Sequence, residues 1–134
     1  WLIWGAILLL FIVDRFIKQS IVNVDTVVIN KSIALNISFP IELVVIITSF
    51  ILLWLLREIY RAQKKKKYFS SVTLLAIFAG GLGNVIDRLY YYGVVDYITT
   101  FVWFPIFNLS DVLITLGVVG VGLYYYYESH EKRN

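Results

Sequence analysis

Three aspartates in the second half of the chain, Asp87, Asp96 and Asp111, are the residues best placed for proton chemistry. Two carboxylates work as acid and base when one is ionised and the other protonated, which requires surroundings that push their pKa values apart. Asp111 ends the stretch FPIFNLSD, where Pro105 precedes a new apolar run and Asn108 or Ser110 can act as N-cap. A helix N-terminus favours negative charge, so Asp111 is the natural ionised member, although capping alone would also account for it. Asp87 is followed directly by Arg88, which would tend to hold it ionised as well. Asp96 lies in an apolar, extended stretch between Val94, Val95, Tyr97 and Ile98, with no adjacent cation, and should resist ionisation.

The pair nominated by surroundings is therefore Asp96 with Asp111, leaving Asp87 and Arg88 as scaffold or substrate grip. Such a pair can activate a water against a peptide carbonyl, one carboxylate taking the proton while the other donates to the carbonyl oxygen. Coupled groups titrate as a pair, so neither is assigned a private pKa. The two are 15 positions apart with a turn and Pro105 between them, a separation that permits contact without requiring it.

Other polar residues have two readings each. Asp14 and Lys18 are four apart at the end of the first apolar run, as in an interfacial ion pair, but ionisable groups near a bilayer are also functional candidates. Gly80, Asn84 and Asp87 share one helical face with Gly83 beside them, which suits either a packing seam or close approach of a substrate. Glu42, Arg57 and Glu58 read as anchors at span ends. The absence of Cys excludes disulfides, thiol catalysis and Cys-based metal sites, and the single His130 sits in a charged tail, so no metal is expected. No Ser/His/Asp arrangement or phosphate loop competes, and GGLGN lacks the preceding strand and the spacing of a nicotinamide fingerprint.

The elements that must position these residues are those of a membrane protein: of 134 residues, 60% are hydrophobic and 17% aromatic, and the mean hydropathy is +0.78. Spans are expected at roughly 1–18, 41–57, 68–87 and 109–127, within a single domain covering 1–134. The first is short, with 13 apolar residues before Asp14. The chain opens on Trp and contains no Met, so its natural N-terminus is expected to be missing or processed; a cleaved signal peptide is the rival reading, but DRFIKQS offers no small-residue cleavage site. The basic run RAQKKKK (61–67) places its loop and both termini in the cytoplasm, which leaves roughly 19–40 and 88–108 outside. Between Val27 and Phe39 the odd positions are apolar apart from Lys31 and the even ones mostly polar, the alternation of a strand with one apolar face, so a small outer β element is expected at roughly 21–40. The fold class expected is thus an all-α membrane protein of four transmembrane helices with a small β element.

The blocks DRFIK (14–18), NKSIAL (30–35), GGLGNVIDR (80–88), GVVDYI (93–98) and FNLSD (107–111) together resemble the lipoprotein signal peptidases, the signal peptidase II family of bacterial membranes. The resemblance implies an aspartyl endopeptidase, a hydrolase that cleaves before the diacylglyceryl-modified cysteine of a prolipoprotein, with Asp96 and Asp111 as its dyad. It implies site-shaping roles for Asn84, Arg88 and Asn108, and for Asp14, Lys18 and Asn30, with Asp87 in support. It implies an extracytoplasmic β-rich cradle for the lipid-bearing substrate, a site near the outer face of the bacterial inner membrane, and no metal or organic cofactor. Membrane lipids are the other expected partners, nucleic acid is not one, and a monomer is expected. The chain departs from the usual family pattern at Ile17, Ser32, Leu35, Asn36 and Ser110. The alternative from another class is a non-catalytic small membrane protein that binds lipoproteins or lipids. Transporters commonly carry internal repeats, and no repeat is found here.

Overall fold

The computed structural model describes residues 2–22, 27–31, 39–101, 103 and 105–131. Four helices alternate in direction: α1 (Leu2–Ile21), α2 (Ile41–Lys64), α3 (Tyr68–Tyr91) and α4 (Leu109–Glu131). Each runs past the apolar segment that announces it. At ~1.5 Å per residue the two 24-residue helices, α2 and α3, are about 36 Å long. Helices α2, α3 and α4 are long and apolar enough to cross a membrane. Helix α1 has 20 residues, but Asp14, Arg15 and Lys18 fall in its C-terminal half.

Helix α3 is the centre of the bundle and packs on α4, α2 and α1. Its composition explains why: small residues line the face turned to α4, so the two backbones approach closely. A Cβ on Gly80 would run into the Ser110 carbonyl oxygen, and one on Gly117 would lie 2.7 Å from the Thr73 carbonyl oxygen. The small-residue seam expected around Gly80 therefore exists, and α4 extends it through Gly117 and Gly120. Gly117→Val should overpack this seam and cost about 1–3 kcal/mol, whereas Gly122→Ala, which meets no atom within 4 Å, should leave the thermal melt of the detergent-solubilised protein unchanged.

On the far side, α2 buries Leu52, Leu55 and Ile59 and exposes Phe50, Leu53 and Trp54, while α4 exposes Leu116, Val118 and Val119. A belt of this kind around a bundle is what hydrocarbon covers. At the end of the bundle holding the α2–α3 turn, Lys67 Nζ pairs with Glu128 Oε1 at 2.8 Å and ties α3 to the last turns of α4.

The opposite end carries the sheet. Strand β1 (Val28–Asn30) pairs antiparallel with β2 (Val94–Asp96), with Val28 opposite Asp96 and Asn30 opposite Val94. Gly93, just before β2, leaves room for β1, since a Cβ there would lie 3.0 Å from the Asn30 carbonyl oxygen. The outer β element is thus shorter among the described residues than the alternation suggested: residue 21 ends α1, residue 22 is a turn, and 23–26 and 32–38, including Ser32, Leu35 and Asn36, lie outside the description. Val28 and Ile29 are both exposed within the protein, and β2 pairs with the edge of β1.

Candidate active site

The site is built where the C-terminus of α3, the N-terminus of α4, strand β2 and the last turns of α1 converge. Two local features deliver its carboxylates. After β2 the chain turns back, and Ile98 and Phe107 form an isolated antiparallel bridge, with the Ile98 N–H donating to the Phe107 carbonyl at 2.7 Å and the Phe107 N–H returning to the Ile98 carbonyl at 3.1 Å. This closes the excursion between them and sets Asp96 beside Asn108. Helix α4 then starts with a reciprocal cap: the Asp111 N–H donates to Asn108 Oδ1 at 3.0 Å, and the Asn108 N–H donates to Asp111 Oδ2 at 3.1 Å. Of the two N-cap candidates, Asn108 is the one used.

Asn108 is fully buried and reaches both carboxylates, because its Nδ2 also donates to Asp96 Oδ1 at 2.7 Å. The two expected partners are therefore brought together through one amide. Each has a second support. Asn30 Nδ2, from β1, donates to Asp96 Oδ2 at 3.1 Å, and Asn84 Nδ2, from α3, donates to Asp111 Oδ1 at 2.8 Å. Burial raises the pKa of Asp96 above the usual carboxylate range; the hydrogen bonds from Asn30 and Asn108 oppose this, the charge of Asp111 adds to it, and Lys18 opposes it. The direction agrees with the expectation from its apolar neighbours.

Beneath the pair lies a buried ionic cluster. Lys18 Nζ sits between Asp14 Oδ2 at 3.1 Å and Asp87 Oδ2 at 2.7 Å, and all three side chains are at most 1% exposed. Lys18 also donates to Asn84 Oδ1 at 3.3 Å, and Arg15 pairs closely with Asp87. The Asp14–Lys18 pair expected from the i,i+4 spacing forms, but in the interior and not at an open interface. Asp87 is paired directly with Lys18 and Arg15 of α1, which the sequence did not suggest; its neighbour Arg88 makes no direct pair with it, consecutive helical residues pointing about 100° apart, and acts on it through charge. Arg88 donates to the Asn84 carbonyl at 3.1 Å and lies within electrostatic reach of Asp111, Asp87 and Asp96.

All nine expected residues, Asp14, Lys18, Asn30, Asn84, Asp87, Arg88, Asp96, Asn108 and Asp111, thus fall in one connected region. Sequence reasoning missed three more. Arg15 closes the ionic cluster, the Tyr97 hydroxyl donates to Asp14 Oδ1 at 2.9 Å, and the Ser110 hydroxyl donates to Asp14 Oδ2 at 2.7 Å. The available signal was position: Tyr97 follows Asp96, and Ser110 precedes Asp111. Among the described residues no group of His, Cys, Asp and Glu has the arrangement of a metal site.

A family model described as signal peptidase (SPase) II matches residues 6–127. The lipoprotein signal peptidase of Bartonella quintana (strain Toulouse) is 40% identical over 85 residues, which cover 60% of this chain and 48% of that protein. That of Staphylococcus carnosus (strain TM300) is 36% identical over 90 residues, covering 65% and 57%. The chain spans about half the length of the curated relatives it matches. A solved structure described as a bacterial membrane enzyme, obtained by the in meso method at 2.3 Å resolution, superposes with a TM-score of 0.81 at 28% identity over 94% of this chain and 88% of that one.

Proposed function

The chain belongs to the signal peptidase II family, and on that premise we propose that it is an aspartyl endopeptidase that removes the signal peptide from diacylglyceryl-modified prolipoproteins by cutting before the lipidated cysteine. The observation that supports this reading is Asn108, which hydrogen-bonds both Asp96 and Asp111. Asp111, at the N-terminus of α4, acts as base and takes a proton from the attacking water. Asp96, kept protonated by burial and by the charge of its partner, donates to the scissile carbonyl oxygen as the tetrahedral intermediate forms. As the C–N bond breaks, Asp111 passes the water-derived proton to the leaving amine and Asp96 takes back a hydroxyl proton as the carbonyl reforms. Arg88 grips substrate or steadies the developing charge; Asn84 and Asn30 fix the two carboxylates.

In this reading the whole chain is one peptidase domain with four spans, α1 included, its ionic residues paid for internally by Asp87 and Asn84. The lysine run at 64–67 marks the cytoplasmic side together with both termini. The pair then lies near the outer face, where water reaches it while the acyl chains of the substrate stay in hydrocarbon. The strand β1 belongs to a cradle for that substrate. No metal is required, and one copy of the chain supplies every group in the scheme.

The test is cleavage of a synthetic diacylglyceryl-modified prolipoprotein peptide by the purified protein in detergent, with the products identified by mass. A cut before the lipidated cysteine is expected; binding without any cut would favour the non-catalytic, lipoprotein-binding alternative. The pH profile of kcat/KM should be bell-shaped, because the reaction needs one proton on the pair. Activity falls at the acid end as the pair takes up a second proton, and at the alkaline end as Asp96 loses its proton above the ordinary carboxylate range. Asn30→Ala removes a donor that favours ionised Asp96, so the alkaline limb should move to higher pH; a limb that stays fixed or moves down contradicts the assignment.

A further inference from the structure

We infer that Tyr97 and Ser110 are positioning residues of the proposed peptidase reaction, tying the two segments that carry Asp96 and Asp111 to one buried carboxylate, Asp14. The inference rests on the reading of Asp96 and Asp111 as the reacting pair.

A hydroxyl has a single proton to donate. Tyr97 gives its proton to Asp14 Oδ1 at 2.9 Å, and Ser110 gives its proton to Asp14 Oδ2 at 2.7 Å. Neither proton is then available for acid catalysis, so any effect on the reaction acts through placement. Burial first, and then the Asp14 carboxylate, raise the pKa of the Tyr97 phenol, so the donor is not lost in the range where the enzyme works. The Tyr97 oxygen also accepts weakly from the Leu109 N–H at 3.4 Å, which adds a direct tie to the first residue of α4.

The arrangement has room made for it. Gly83 on α3 faces the Ser110 hydroxyl so closely that a Cβ there would occupy its place. Asp14 is itself held by Lys18, and the neighbouring Asp87 accepts from the Val95 N–H at 3.2 Å. The residues on both sides of Asp96, and the one before Asp111, are thus anchored to the same ionic cluster. The Ile98–Phe107 bridge joins the two segments through backbone alone; the hydroxyls add a third fixed point, on α1, which sets how far apart the carboxylates stand.

The experiment compares the full chain with Tyr97→Phe, Ser110→Ala and the double variant, using the lipidated peptide for kcat and KM and hydrogen exchange on segments 93–98 and 107–112. Each single change should lower kcat about 10-fold, less than the ~10²-fold that an ångström of misplacement costs, with KM within about 2-fold and the protein still folded, melting a few degrees lower because buried Asp14 loses a donor. The double variant should lose about 10- to 30-fold and not the product of about 100-fold, because both donors act on one carboxylate. Exchange should rise in both segments when either hydroxyl is removed. Wild-type kcat in the double variant overturns the inference, as does exchange that rises only in the segment carrying the substitution. Should the unmodified protein fail to cut, the proposed function falls by itself, and exchange alone decides: joint loosening supports the clamp, and unchanged exchange refutes it.

Discussion

Lys18→Met removes most of the folded protein, or leaves material that melts about 10 °C or more below the parent. The side chain is 1% exposed and lies between two carboxylates that are fully buried. Methionine preserves much of the stem and deletes the charge, so the change isolates electrostatics from packing. Breaking a buried ion pair from one side costs about 3–5 kcal/mol, because the remaining charges cannot recover water, and about 10 °C or more follows for a chain of this size. Here the loss is doubled in kind, since Asp14 and Asp87 are left facing one another with Arg15 as the cation paired with both. Adding Asp87→Asn to Lys18→Met should recover part of the loss by removing one of the stranded carboxylates. Differential scanning fluorimetry in detergent reads both outcomes, and a Lys18→Met protein with a parental melt would mean that the cluster is hydrated and not load-carrying.

Asp96→Asn and Asp111→Asn should each lower the proposed cleavage by about 10³-fold or more while the protein stays folded. General acid–base groups typically contribute 10²–10⁴-fold, and in the proposed scheme the two carboxylates act as a unit, so that removing either forfeits the contribution of both. Retention of the fold follows from the hydrogen bonds. Asn at 111 keeps an oxygen for the Asn108 N–H, and the cap on its own N–H is untouched. Asn at 96 keeps one acceptor for two amide donors, and it removes a carboxylate whose burial disfavours its charge. The contrast with Lys18 separates two kinds of importance: one change removes activity from a folded protein, the other removes the folded protein.

Much of this arrangement was legible because it is local. Apolar runs announce α2, α3 and α4, and Pro105 with Asn108 announces the start of α4. The differing surroundings of Asp96 and Asp111 could be read from Val94, Val95 and the helix N-terminus. What was not legible is what arrives from elsewhere in the chain. The expected first span already took in Asp14 and Lys18, but the partners that satisfy them, on α3 and around Tyr97 and Ser110 and 66 to 96 positions away, could not be read from it. The direct partners of Asp87, Arg15 and Lys18 on α1, were missed for the same reason. Strand β1 is defined by β2, and pairing across 66 positions, as between Ile29 and Val95, has no local sign. Hydroxyls beside an aspartate are common, and only the depth of Asp14 gives these two a purpose.

The most direct test of the central claim is the rate at which the purified protein and its Asp96→Asn variant, matched for folded fraction, cleave the same diacylglyceryl-modified prolipoprotein peptide. The account predicts one cut, before the lipidated cysteine, by the parent, and a variant slower by about 10³-fold or more. Equal rates for the two proteins, or a parent that binds the peptide and never cuts it, would contradict it.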